Sequence, residues 1–293
     1  MASDSVEKRL ESKISLRTHV QTEANDTGGN RNMKKLVRIA AIAAAALMAV
    51  SAAGCSSTRS LSDVKNSGKL MMSTNAEFEP FEYKDGGEIV GIDIDISKKI
   101  AESLGVELEI SDIAFDSLIP ALQSGKADIV AAGMTADKER RESVDFSDPY
   151  FNASQAIIVA ADSDITGPAD LADKTVGVQL GTTGDQYCTN EDGESEYTVA
   201  EVRRYSKGME AVSDLMAGRI DAVVIDNFPA QKFVENNEGA IKVLDTALTE
   251  EEYAIAVPKG NTEMLDAVNS VLAEMKESGE LDEIVAKYES ALS

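Results

Sequence analysis

A chain of 293 residues is long enough for one large domain or two modest ones with real cores. Its formal charge is −24; residues 1–54 hold 8 Lys+Arg and 5 Asp+Glu, leaving 20 against 47 in the remainder, a net −27 that disfavours nucleic acid as a partner. The single histidine, His19, precedes any plausible domain, which removes Ser-His-Asp and Cys-His catalysis and histidine metal sites from everything after it, so neither metal nor cofactor is expected.

Residues 1–32 are polar, lack aromatic residues and read as disordered. Met33-Lys34-Lys35-Leu36-Val37-Arg38 then gives a basic head, and Ile39 to Gly54 an uncharged stretch too short and Ala-rich for a membrane span. Together they describe a secretory signal over 33–54, with Met33 as initiator and 1–32 an upstream extension. Ser51-Ala52-Ala53-Gly54-Cys55 resembles the bacterial lipoprotein signal, although Ala52 stands where Leu is usual. That resemblance implies that Cys55 is lipidated, as with palmitate, and anchors the protein to the outside of the cell membrane. The plainer reading is an ordinary cleavage site. Residues 55–66 read as a flexible tether.

The folded part begins near Lys69. Leu70–Thr74 reads as a strand with Asn75–Phe81 as the loop at its tip, and a helix of period 3.6 runs through Ile96, Ile100 and Leu104 to a cap at Gly105. Val106–Ile110 alternates as a strand, Leu118, Ile119 and Leu122 mark a helix ending at Gly125, and Ala127–Ala132 returns as a strand. Beyond Pro149 the pattern repeats: strand Ala156–Ala160, a short helix from Pro168, strand Thr175–Leu180, a helix capped by Ser206 and closed by Gly218, and strand Ala222–Ile225. Strand–helix–strand alternation with short connections implies parallel pairing. Leu122-Gln123-Ser124-Gly125-Lys126-Ala127-Asp128-Ile129-Val130 is echoed by Leu215-Met216-Ala217-Gly218-Arg219-Ile220-Asp221-Ala222-Val223, which points to two similar α/β lobes. The tail from Asn261 reads as two amphipathic helices with Gly279 between them.

In open α/β sheets ligands settle outside the carboxyl ends of the strands, and four features fall there. Gly133, Thr135 and Arg140 combine backbone access, a hydroxyl and the side chain best shaped to grip a carboxylate. Gly181-Thr182-Thr183-Gly184 offers amides at a helix start but lacks the Lys of a phosphate loop. Asp226 ends a buried strand of the other lobe, and Phe78 and Phe115 sit at loop positions. A cation with amides suits a carboxylate, an acid suits an ammonium, and phenyl rings suit an apolar stem: jointly, a pocket for a free α-amino acid. Each feature also has a plainer role. Arg140 fits a solvated turn, the two phenylalanines a core, Asp226 a cap for a helix near Pro229, and Gly184 a turn.

Gly91-Ile92-Asp93-Ile94-Asp95-Ile96 with Ile100-Ala101, Leu118–Gly125, Gly133-Met134-Thr135, Arg140, Asp145-Phe146-Ser147-Asp148-Pro149-Tyr150 and Gly181-Thr182-Thr183 together resemble extracellular solute-binding protein family 3, the polar amino-acid-binding proteins of ABC importers. The resemblance spans about Lys69 to Ser290 and implies a type II periplasmic-binding-protein fold: two similar doubly wound lobes joined by two hinge strands. Lobe 1 would comprise 67–150 and 254–293, lobe 2 155–248, with hinges near Tyr150–Ser154 and Thr249–Tyr253. It further implies that Arg140, Thr135 and the Thr183 amide hold the α-carboxylate, that the Gly133 carbonyl and Asp226 hold the ammonium, and that Phe78 and Phe115 sandwich the side chain. Asn75, Glu77, Gln179 and Ile225 would set side-chain selectivity. The positions matching Asn75, Gln179 and Ile225 are ionisable in the family's glutamine binder, which argues against glutamine and ranks a polar or sulphur-containing amino acid first and a basic one second. The expected partners are that amino acid, a membrane permease with its ATPase, and a lipid anchor, for a monomer that is not an enzyme. The alternatives are a carboxylate-dependent dehydratase on the same fold, with Asp226 as base, and a ligand-sensing ectodomain. Cys188, left without a partner, is expected to be a buried structural thiol.

Overall fold

The computed structural model describes residues 58–289 apart from 191, 192, 194 and 196, so the expected extension 1–32, the signal over 33–54 and Cys55 lie outside the described residues. The chain enters through helix α1 (Leu61–Ser67), where the tether expected over 55–66 gives way to order at its far end. The reason is local: Ser60 and Asp63 form a reciprocal capping box, Val64 is buried, and Gly68 closes the helix at φ +70. Strand β1 (Lys69–Thr74) follows, then the small strands β2 (Glu77–Phe78), β3 (Glu82–Asp85) and β4 (Glu88–Val90). Helix α2 (Ile92–Leu104) stops at Gly105 as its periodicity predicts. Next come β5 (Glu107–Asp112), a 3₁₀ turn at Phe115–Ser117, α3 (Leu118–Gln123), β6 (Ile129–Val130), α4 (Arg140–Ser143) and β7 (Val144–Phe146). The strand expected over 127–132 is only its central pair, because Ala127 donates its N–H to the Ala121 carbonyl (3.3 Å) at the end of α3 and Asp128 is taken up by a bracket described below.

The chain crosses out through β8 (Phe151–Ala153) and builds a second half from β9 (Gln155–Ala160), β10 (Thr175–Gln179), α5 (Thr183–Thr189), β11 (Glu201–Tyr205), α6 (Gly208–Met216), β12 (Ala222–Asp226), α7 (Asn227–Glu235) and β13 (Ile241–Val243). It crosses back through β14 (Glu251–Tyr253) to β15 (Ala256–Pro258), α8 (Thr262–Ser278) and α9 (Glu280–Glu289). The cap expected at Ser206 falls instead on Lys207, without a side-chain cap bond. Gly208 opens α6 so close to β12 that an added Cβ would sit 2.7 Å from Ile225 Cδ1, and that packing fixes where the helix starts.

The first sheet runs β5-β1-β6-β15-β7, parallel at β1–β5 and β1–β6 and antiparallel where β15 joins; the second runs β11-β10-β12-β9-β13, parallel at β10–β11 and β10–β12 and antiparallel across β9. The two crossings pair with each other, Phe151 opposite Tyr253 and Ala153 opposite Glu251. Two lobes joined by an antiparallel hinge pair are thus the fold. The repeated sequence segments occupy equivalent places and make the same bracket. Asp128 donates its N–H to the Met71 carbonyl (2.7 Å) and accepts the Met71 N–H on Oδ2 (2.8 Å); Asp221 does both with Thr175, at 2.9 and 2.8 Å. Each lobe has its own apolar core, around Leu70, Met72, Ile94, Ile100 and Leu272 in one and Ile158, Val176, Val178 and Val223 in the other. Every such side chain contributes roughly 1.5–3 kcal/mol by leaving water. Cys188 is buried in the second core, where burial pushes its thiol up to about 12. Among the described residues no helix is long and apolar enough to cross a membrane.

Candidate functional site

The loop after β6 runs beside the returning hinge crossing, with Thr135 bridging Tyr253 and the Ala136 N–H donating to the Glu252 carbonyl (3.1 Å). This register sets one wall of the cleft. Gly133 sits at φ +49, in the region that favours glycine, and a Cβ there would lie 2.7 Å from Phe78 Cε1. Its N–H donates to Asp93 Oδ2 (2.8 Å), and the Tyr150 hydroxyl donates to Asp93 Oδ1 (2.6 Å). The Thr135 hydroxyl donates to Glu251, whose other oxygen accepts from the Thr249 hydroxyl at 2.6 Å.

Arg140 opens α4 and is 5% exposed, which excludes the solvated-turn reading. Asp137 fixes it twice, accepting its N–H at 2.7 Å and pairing with its Nε at 3.2 Å. The guanidinium donates to the Thr135 carbonyl (2.9 Å) and, across the cleft, to the Gly181 carbonyl (3.0 Å). Its central carbon lies 5.4 Å from the centre of the Phe115 ring, a cation–π contact. The two expected sandwich rings therefore face different groups: Phe115 the arginine, Phe78 the Gly133 backbone.

The second lobe contributes Gln179 at the end of β10, Thr183 at the start of α5 and Asp226 at the end of β12. Gln179 Nε2 donates across the cleft to Asn75 Oδ1 (2.8 Å), while Asn75 Nδ2 donates to the Ile113 carbonyl (3.0 Å). Thr182 caps α5, accepting the Asp185 N–H on its side chain, and Thr183 lines a cavity of about 1000 Å³ with Thr135, Asn152, Thr249 and Glu251. A smaller cavity of about 240 Å³ is bounded by Phe115, Arg140 and Gly181. Asp226 precedes α7 but makes no side-chain cap bond, so the capping role fails and its carboxylate is left for the cleft.

Asp226 is 5% exposed and accepts a hydrogen bond from the Tyr253 hydroxyl. Burial first, then the charge of Glu251, pushes its carboxyl up to about 7, against the pull of Tyr253, Gln155 and Arg140 toward the ionised form. Gln155 stands beside it in the β9–β12 register, fully buried, and neither side-chain polar atom meets hydrogen-bond geometry, so it acts as a nearby dipole. On the opposite wall burial raises Asp93 to about 6 and pushes Glu82 well above the usual carboxylate range. The rim adds ion pairs between the lobes, Lys207 with Glu77 and Lys232 with Glu79 (3.6 Å).

The eleven residues singled out from sequence thus fall on the facing tips of the two sheets or the loops beside them, and Asn75–Gln179 and Arg140–Gly181 join the halves directly. Sequence reasoning missed Tyr253, Glu251, Gln155, Asp93, Tyr150 and Glu82. Asp93 and Tyr150 lay inside stretches already singled out as distinctive, and Glu251 and Tyr253 inside an expected hinge; Gln155 and Glu82 carried no local signal.

The family model for bacterial extracellular solute-binding proteins, family 3, matches residues 70–291. The arginine-binding extracellular protein ArtP of Bacillus subtilis (strain 168) is 36% identical over 249 residues, covering 84% of this chain and 95% of ArtP. A crystal structure of the P235GK mutant of ArgBP from T. maritima is 43% identical with a TM-score of 0.73, covering 78% of this chain and 99% of that one. An ancestral arginine-binding protein, solved bound to glutamine and bound to arginine, is 45% identical with a TM-score of 0.70, covering 75% of this chain and 97% and 98% of those chains.

Proposed function

This chain belongs to the bacterial extracellular solute-binding proteins, family 3, and on that premise we propose that it captures a free α-amino acid between its two lobes, as a monomer, and delivers it to the permease of an ABC importer. The observation that carries the reading is the placement of one buried cation, Arg140, and one buried acid, Asp226, on facing strand tips of two hinged halves. Arg140 receives the guest's α-carboxylate in place of the Gly181 carbonyl, aided by Thr135 and the Thr183 amide. Asp226 and the Gly133 carbonyl receive the ammonium, and Phe78 and Phe115 flank the stem. A guest that makes both sets of contacts only when the lobes meet shifts the population toward closure.

A cationic amino acid, arginine first, now ranks above the polar or sulphur-containing guests favoured from sequence. The cleft and its rim hold four acids, Asp226, Glu251, Glu77 and Glu79, against three cations, Arg140, Lys207 and Lys232, and Glu77 Oε2 is buried without a hydrogen-bond partner among the described residues. The names of the relatives above support the same order. Isothermal calorimetry with arginine, histidine, cystine and glutamine tests it: arginine is expected to bind at micromolar or tighter concentration. Arg140→Ala is expected to weaken it by at least about 30-fold, since truncating one member of a buried charge pair removes about 2–5 kcal/mol. Absence of binding by every proteinogenic amino acid and cystine defeats the proposal.

The relatives named above are binding proteins, and zwitterion pairing accounts for Asp226 without chemistry; recovery of arginine unchanged after long incubation separates this from a dehydratase. The basic head and apolar stretch over 33–54 and the Ala-Gly-Cys ending at Cys55 support export and a lipid anchor on the outside of the membrane. Cys55→Ser is expected to move it from the membrane fraction to the soluble one, and retention in the membrane overturns the anchor.

A further inference from the structure

The Gly-Ile-Asp-Ile-Asp stretch has a role that ligand contacts do not explain. Gly91 lies at φ +136, where a Cβ would be 2.1 Å from the Phe81 carbonyl oxygen, so only glycine lets the start of α2 press against that loop. The Ile92 and Asp93 N–H groups then donate to the Pro80 and Phe81 carbonyls at 3.1 and 3.0 Å. Asp93 is thereby held rigidly with no exposed surface, a costly place for a carboxylate. Its two oxygens accept from the Gly133 N–H and the Tyr150 hydroxyl. The first donor belongs to the residue whose carbonyl is assigned to the ammonium in the proposed function; the second stands one residue before hinge strand β8. Asp95, two residues on, points the other way, to Lys287 (2.7 Å) and Tyr288 (2.9 Å) on α9, and is purely structural.

Resting on the amino-acid-capture reading, we propose that Asp93 is a positioning residue for ammonium recognition: it anchors the peptide entering Gly133, so that the Gly133 carbonyl is aimed at the guest's α-ammonium, and couples that aim to the hinge through Tyr150. Gly133 has no side chain to hold its conformation, and glycine reaches φ +49 and other backbone conformations with similar ease, so a hydrogen-bond partner on its N–H narrows the choice. Asp93 supplies that partner with charge-assisted strength. Glu82, buried alongside, has its carboxyl pushed well above the ordinary carboxylate range by burial and then by the charge of Asp93.

The test compares L-arginine with 5-guanidinopentanoate, which keeps the carboxylate and guanidinium but lacks the α-ammonium. Asp93→Asn preserves volume but removes the charge and one of the two acceptors, so the Gly133 N–H is left at best with a neutral amide oxygen. It is expected to weaken arginine at least tenfold and 5-guanidinopentanoate less than twofold by calorimetric titration or displacement, whereas Arg140→Ala weakens both. Tyr150→Phe, which spares Gly133, is expected to cost less than threefold for arginine. Equal losses of both ligands in Asp93→Asn, or no loss of arginine, overturn the proposal while leaving capture intact. Failure of the wild-type protein to bind any amino acid removes capture and this role together. The Gly133 amide proton in ligand-free wild-type protein gives a measurement independent of any variant. A downfield, slowly exchanging resonance is expected, and an ordinary, rapidly exchanging one overturns the anchor.

Discussion

At Asp226 two requirements collide. The site needs a negative charge for an ammonium, yet burial beside Glu251 lifts the carboxyl from 3.8 to about 7. Between those values the folded, ligand-free protein keeps a proton that the unfolded chain has released, so stability falls as pH rises through that window and is level above about 7. A cationic guest reverses the preference by pairing with the ionised form. Arginine affinity is therefore expected to climb from about pH 5 to about 7, by up to tenfold per unit, then level off. Calorimetry in two buffers of different ionisation enthalpy is expected to record release of up to one proton near pH 6. Asp226→Asn is expected to flatten the profile and weaken arginine by about 30-fold or more, while raising the melting temperature of the empty protein at about pH 8. An unchanged pH profile in that variant assigns the proton elsewhere.

At the scale of elements, the echo between 122–130 and 215–223 is a sequence record of one device used twice. Asp128 and Asp221 each bracket a neighbouring strand's first residues, but Asp128 is buried and also pairs with Arg59 (2.7 Å), whereas Asp221 is exposed. Asp128→Ala leaves the part-buried Met71 N–H without its partner and is expected to lower stability by about 1–3 kcal/mol. Asp221→Ala is expected to lower it by less, because water reaches the Thr175 N–H. Urea denaturation checks the order, with arginine affinity unchanged within twofold in both. The helix stops at Gly105 and Gly279 and the strand tips at Gly133 and Asp226 were readable because glycine conformations and buried apolar runs are local properties. The partners of those tips were not. Tyr253 meets Asp226 only because β14 returns past the first lobe, and Phe115 turned to Arg140 rather than to an empty stem site. Ser60 looked like linker because a capping box in a seven-residue helix has too short an apolar pattern to register.

For the whole molecule, the decisive geometry is a cleft whose walls touch through Asn75–Gln179, Arg140–Gly181 and the rim pairs of Lys207 and Lys232. The rim pairs sit at the mouth of the cleft, with Lys207 exposed and Glu77, Glu79 and Lys232 half-buried; surface pairs contribute about 0–1 kcal/mol each, too little to hold the halves together alone. Closure is then expected to follow the guest: small-angle scattering should show the radius of gyration falling on addition of arginine. Arg140→Ala should remain expanded at the same concentration, and a wild-type radius indifferent to arginine contradicts a hinged mechanism.

Helix α1 packs its Val64 into the first core, the Asn261 side chain donates to the Arg59 carbonyl (3.0 Å), and α9 reaches back to α2 through Lys287. Residues 59–67 and 280–288 are thus joined to one body, and a dye on either segment would ride with it, blind to capture. A reporter belongs on the travelling half, for instance at the exposed turn holding Asp162. With Cys188 sealed inside, a thiol introduced there and another on α9 would convert amino-acid capture into a change of distance that light can read.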